Sequence, residues 1–102
     1  MAGIKVENKA SFSARCVGLM FTPTVHPIYF KTRFGIHTFF VRNPIDVLIL
    51  DNEFIVRKMI VNLKPWRVFL WNPRYNNVIE LPGSSIVKQR IKLGSKIEVL
   101  FK

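Results

Sequence analysis

Acidic residues are scarce in this chain, and cysteine is nearly absent. Six Asp and Glu stand against sixteen Lys and Arg in 102 residues, a formal charge of +10. The single cysteine, Cys16, excludes an internal disulfide. A lone thiol suits a reducing compartment. There is no Gly-x-Ser-x-Gly elbow, no P-loop and no dinucleotide fingerprint. Metal-ligand spacing is lacking too. Cys16, His26 and His37 have no partner at CxxC or HxxxH spacing, whereas zinc needs three or four converging ligands. No metal and no other cofactor is expected. The first nine residues carry charge throughout and have no continuous apolar stretch, so no secretory signal is expected. The longest apolar run, residues 36–51, is broken by Arg42 and Asp46, too soon to span a bilayer. A single cytoplasmic domain over residues 1–102 is the expectation.

What is present is hydrophobic and β-prone. Hydrophobic residues make up 49% of the chain, enough to bury one core. Short runs of β-branched and aromatic residues recur between turn signals. They lie at residues 4–6, 28–30, 36–41, 45–50, 54–62, 68–71, 78–81 and 96–101. Asn43-Pro44 divides the central run, because proline cannot donate to a ladder. Asp51-Asn52-Glu53 is a tight polar turn, so residues 45–50 and 54–62 read as an antiparallel hairpin. Two short helical pieces are expected, near residues 11–18 and 86–91. Ser84 or Ser85 is the expected N-cap of the second. No segment sustains a helical period, and no repeat or low-complexity tract appears. The pattern predicts a mainly β domain, a β-sandwich or jelly-roll-like barrel with one or two short helical turns.

Several segments together resemble the family known as domain of unknown function 192, in its archaeal-type wording. Gly18-Leu19-Met20 is similar to an early Gly-Leu-Met. Ile36-His37-Thr38-Phe39-Phe40-Val41-Arg42-Asn43-Pro44-Ile45-Asp46-Val47 resembles the family's most recognisable block. Leu63-Lys64-Pro65-Trp66-Arg67 resembles its Pro-Trp-Arg segment. Val78-Ile79-Glu80-Leu81-Pro82-Gly83 and Ile91-Lys92-Leu93-Gly94 resemble its two closing segments. The resemblance covers about residues 10–100. Ser84 and Ser95 depart from the family's usual threonine and aspartate. A compact, mostly β fold is implied; no function is, because the family has none settled.

Polar residues that interrupt apolar strands are the candidates for function. Arg42 and Asp46 bracket the Asn43-Pro44 turn, and a buried charge requires a partner. They form either a structural pair that pins the turn or part of a pocket. Trp66 and Arg67 offer a flat aromatic face and a planar fork for carboxylate or phosphate. With His37 and Glu80 these residues make a candidate pocket for a small anionic or polar molecule, or for a segment of a partner protein. Enzymatic activity is not the favoured reading. Cys16, beside Val17 and Gly18, shows no sign of activation for a pairing with His37. An Asp46–Glu80 carboxylate pair would require a short separation, which sequence does not supply. The alternative is a single-stranded nucleic-acid module. It would use Lys31, Arg33, Phe34, Trp71, Arg74 and Tyr75, with phosphate contacts and base stacking combined.

Overall fold

The computed structural model describes residues 2–8, 27–31, 35–37 and 43–101. Among these, eight strands and one short helix follow in chain order. They are β1 (Ala2–Asn8), β2 (Ile28–Lys31), β3 (Gly35–His37), β4 (Ile45–Leu50), β5 (Val56–Leu63), β6 (Val68–Leu70), β7 (Asn77–Pro82), α1 (Ser85–Lys88) and β8 (Ile97–Phe101). Six strands form one sheet in the order β5-β4-β7-β2-β1-β8, and β3 pairs with β6 in a separate two-stranded ribbon. The mainly β expectation holds. The expected helical piece near residues 11–18 lies outside the described residues, as do residues 38–41 of the strand expected over 36–41.

The large sheet curls until its two edge strands meet. At one end the start of β5 is stitched to the approach to β8. Val56 N–H donates to Ser95 O, Gly94 N–H to Val56 O and Ile97 N–H to Phe54 O, and Ile55 forms an antiparallel bridge with Lys96. The result is barrel-like. Ile4, Val6, Tyr29, Leu48, Leu50, Val56, Ile79, Leu81 and Ile97 fill the interior, and Ile86 and Ile91 from the α1 segment join them. A second apolar layer lies on the other face of β4 and β7. It comprises Ile28, Ile45, Val47, Ile49, Leu63, Trp71 and Val78, with Phe69 and Tyr75 packed against it.

β4 is the centre of both layers, and every one of its residues is buried. Alternate side chains of a strand point to opposite faces. Leu48 and Leu50 therefore enter the barrel, and Val47 and Ile49 enter the outer layer. Each such burial contributes about 1.5–3 kcal/mol. The strand following the turn begins at Val56, later than the expected residue 54. The turn consumes the intervening positions: Asp51 O accepts Phe54 N–H, and Phe54 sits at φ 60.

Candidate functional site

Asp46 is fully buried on the barrel side of β4. Its Oδ1 accepts the backbone N–H of Asn62 at 2.8 Å and of Ser84 at 3.1 Å, and its Oδ2 accepts that of Ile86 at 2.7 Å. Local structure delivers each amide. A register shift in β5 falls opposite Asp46, between the Ile45–Leu63 and Val47–Ile60 pairs. There Asn62 adopts φ 54, a left-handed conformation that asparagine tolerates. Gly83 lies so close to the Pro44 carbonyl that a Cβ would come within 2.9 Å of it. That approach brings Ser84 and Ile86 over the carboxylate. Ser84 stands at the N-cap position expected from sequence, but its side chain makes no capping bond. A carboxylate from β4 performs that service instead.

The sequence-derived pocket does not assemble as one cavity from the described residues. Asp46 is the cross-strand partner of Leu81, and Glu80 is the partner of Val47. The two carboxylates therefore lie on opposite faces of the sheet. Glu80, also fully buried, is flanked by Ile28 on its other side and belongs to the outer layer. His37 is the register partner of Val68 in the β3–β6 ribbon. Trp66 and Arg67, both exposed, form the turn that leads into that ribbon. Arg42 lies outside the described residues. The nucleic-acid set divides likewise. Lys31 and Arg74 are exposed, whereas Trp71 is buried. Its Nε1–H donates to Tyr75 O at 2.8 Å, and its ring lies 5.7 Å from that of Phe69. Arg33 and Phe34 lie outside the described residues.

Two turns at the far end of the β4–β5 hairpin build a different site. Asp51, Asn52, Glu53, Arg57, Arg74 and Tyr75 line a cleft of about 310 Å³. Both walls are locked internally. Asp51 Oδ1 accepts the amides of Glu53 and Ile55 at 2.8 and 3.1 Å, and its Oδ2 accepts Arg57 Nε–H at 2.7 Å. On the other wall, Asn72 Oδ1 accepts Arg74 N–H at 3.0 Å and Asn72 O accepts Tyr75 N–H. The Trp71 bond to Tyr75 O closes that loop from below. A buried relay ties the first wall to the core: Tyr29 O–H donates to Asn77 Oδ1, and Asn77 Nδ2–H donates to Asp51 O. Burial alone would raise the Asp51 carboxyl. The Ile55 amide, Arg57 and the Glu53 amide outweigh it and hold the group below the usual carboxylate range. The same hydrogen bond raises the Arg57 guanidinium still further. Sequence reading took Asp51-Asn52-Glu53 for a turn alone and left Arg57 out of the candidates. The signal was an acid and an arginine flanking a tight turn, close enough to pair across it.

Residues 1–99 match the family described as Uncharacterized ACR, COG1430, which is domain of unknown function 192. The chain belongs to this family. Relatives include a UPF0127 protein of Pyrococcus horikoshii, 38% identical over 96 residues, covering 86% of this chain and 81% of the relative. A UPF0127 protein of Pyrococcus abyssi is 34% identical over 100 residues, covering 92% and 85%. Among solved structures, a Novosphingobium aromaticivorans protein of unknown function aligns with a TM-score of 0.74 at 18% identity, covering 89% of this chain and 71% of that one. A Sinorhizobium meliloti protein aligns with a TM-score of 0.72 at 20% identity, covering 89% and 78%. At such identities the likeness shows the fold alone. In this family member the Asn-Pro-Ile-Asp segment is a fold element, since Asp46 serves backbone amides. Among the described residues, no three His, Cys, Asp or Glu are grouped to hold a metal, and no helix is long and apolar enough to cross a membrane.

Proposed function

We propose that this chain is a small non-enzymatic binding domain whose ligand is a small anionic or polar molecule held in the Asp51–Tyr75 cleft. One observation carries the reading: Arg57, its Nε–H held by Asp51, and Arg74, carried on a turn whose backbone amide is held by Asn72, line a common cleft with Tyr75. Groups fixed before binding lose little conformational freedom on binding. Guanidinium groups take carboxylate or phosphate with good geometry. Asp51 and Glu53 on the same rim favour a ligand that also carries a donor, such as an amine or hydroxyl.

The test is an NMR titration with inorganic phosphate, acetate and glycine, following the amides of Glu53, Arg74 and Tyr75. Loss of one charge-assisted contact in Arg74→Ala weakens the responding probe about tenfold or more. Equal affinity in wild type and Arg74→Ala removes the cleft from consideration.

A second reading, nucleic-acid binding, draws support from one fact. Two of the six acidic residues, Asp46 and Glu80, are buried, while Lys31, Arg57, Lys58, Lys64, Arg67 and Arg74 are exposed. The Sinorhizobium structure is described as that of a candidate transcription regulator, which bears on that protein. Titration with a single-stranded oligonucleotide at rising salt decides the matter. Binding that is absent even at low salt eliminates it.

A further inference from the structure

The segment between β7 and β8 presents aliphatic and basic side chains together. Val87 is 67% exposed and Leu93 60%, and Lys88, Arg90 and Lys92 between them are exposed as well. Ile86 and Ile91 turn the other way and join the barrel interior, so the segment is anchored in the core while its other large side chains face out. Between Glu80 and Glu98 there is no acidic residue. Among the described residues, none holds Lys88, Arg90 or Lys92 by a side-chain hydrogen bond or ion pair.

The backbone beneath these side chains is closed on itself. α1 ends in a Schellman arrangement, in which Ile91 N–H donates to Ile86 O at 3.0 Å and Arg90 N–H to Val87 O at 3.2 Å. Arg90 takes the left-handed position, φ 55, that glycine ordinarily fills. Lys88 and Gln89 N–H donate to Ser84 O and Ser85 O, Ser95 N–H to Lys92 O, and Gly94 N–H crosses to Val56 O. Amides paired in this way can leave bulk water without the cost of an unmade hydrogen bond. Three occupants would neutralise the cations. Single-stranded nucleic acid also needs aromatic faces for its bases, and no aromatic residue occurs between Tyr75 and Phe101. An extended peptide adds to a strand edge, whereas residues 85–95 contain one helical turn and loops. A bilayer with anionic headgroups matches both kinds of side chain: its phosphates meet the cations, and the aliphatic groups enter the boundary between headgroups and acyl chains.

We propose that residues 87–93 form a docking surface for an anionic lipid bilayer. Val87 and Leu93 insert at the interface, and Lys88, Arg90 and Lys92 lie at the level of the lipid phosphates. The surface shares no residue with the cleft and stands independently of the ligand assigned there.

The experiment is flotation of the full chain with vesicles of equimolar phosphatidylcholine and phosphatidylglycerol. Pure phosphatidylcholine vesicles, free glycerol phosphate and an oligothymidine are the comparisons. Binding is expected for the anionic vesicles alone, and it falls as salt rises. It weakens about tenfold or more in the double variant Lys88→Gln, Lys92→Gln, and by a similar factor in Val87→Ser, Leu93→Ser, which keeps every charge. It is little changed in Lys5→Gln, Lys31→Gln, which removes two cations exposed elsewhere, and in Leu70→Ser, an aliphatic side chain exposed on β6. All these side chains are at the surface, so thermal midpoints confirm folding. Equal binding to pure phosphatidylcholine overturns the proposal. So does undiminished binding by the serine double variant, or an equal loss in Lys5→Gln, Lys31→Gln, because the attraction then belongs to net charge. Oligothymidine bound in preference to anionic vesicles overturns it in favour of nucleic acid. Release from the vesicles by glycerol phosphate at matched phosphate concentration overturns it in favour of a soluble phosphate.

Discussion

Replacing Asp46 by asparagine tests whether the carboxylate is there to hold the fold. Asparagine has the same shape, so no cavity complicates the result. Its one carbonyl oxygen can continue to accept from Asn62 and Ser84. Its amide nitrogen then replaces Oδ2, facing the Ile86 N–H that now donates at 2.7 Å. Two donors oppose each other there, and a charge-assisted bond of about 1.5–3 kcal/mol is lost. With the remaining bonds now neutral, the expected destabilisation is about 2–4 kcal/mol. That is a large part of the ~5–15 kcal/mol typical of a domain. Urea denaturation measures it. With a slope of about 1–1.5 kcal/mol/M for a chain this small, the midpoint falls by about 2 M and the slope is unchanged. Hydrogen exchange at Asn62, Ser84 and Ile86 should accelerate together. A midpoint within about 0.3 M of wild type, with those amides still protected, refutes the structural assignment.

Other consequences are checked more briefly. Asp51 titrates below its ordinary value in the folded state, so its contribution is full above about pH 4 and is lost as pH falls through the depressed folded value. Asp51→Asn should therefore flatten the acid limb of a stability–pH curve; an unchanged limb counts against the Arg57 and amide contacts. Tyr29→Phe removes a buried bond to Asn77 and should cost about 1–2 kcal/mol by denaturation. Burial raises the Tyr29 phenol. Its contribution therefore holds below about pH 10 and declines as pH rises toward the higher folded value, a decline that the Phe variant should lack. Gly94 sits at φ 85 with open space around it. Gly94→Ala should thus cost about 1–2 kcal/mol in thermal melts through backbone strain alone.

The strands were legible in the sequence because β-branched runs between Gly, Pro and Asn signals are a local property. Residues 45–50 were read with the observed limits, and the antiparallel hairpin to β5 followed from its short turn. The pairing of β4 with β7, and the parallel pairing of β1 with β8, depend on contacts distant in sequence, which local patterns do not encode. The candidate site suffered from the same limit. The buried-charge argument applied to Asp46, which is buried; Glu80, taken as a pocket residue, is buried as well. Which face each takes depends on parity along a strand and on its partners. Asp46 and Glu80 came out on opposite sides, and the amides that serve Asp46 come from 16, 38 and 40 residues away. Trp71 looked like a stacking surface because tryptophan serves cores and surfaces alike.

Strands as apolar as β4 carry an intrinsic hazard. With nearly every position aliphatic, sliding β4 along its neighbours by one residue would still bury Ile, Val and Leu on both faces. Hydrophobicity therefore discriminates poorly against that error. Asp46 discriminates strongly. Displaced by one position, its carboxylate would enter the aliphatic layer on the other side, far from the three amides, at the cost of an uncompensated buried charge. The carboxylate thus acts as the index mark of the sheet, penalising misaligned pairings that the aliphatic residues would accept.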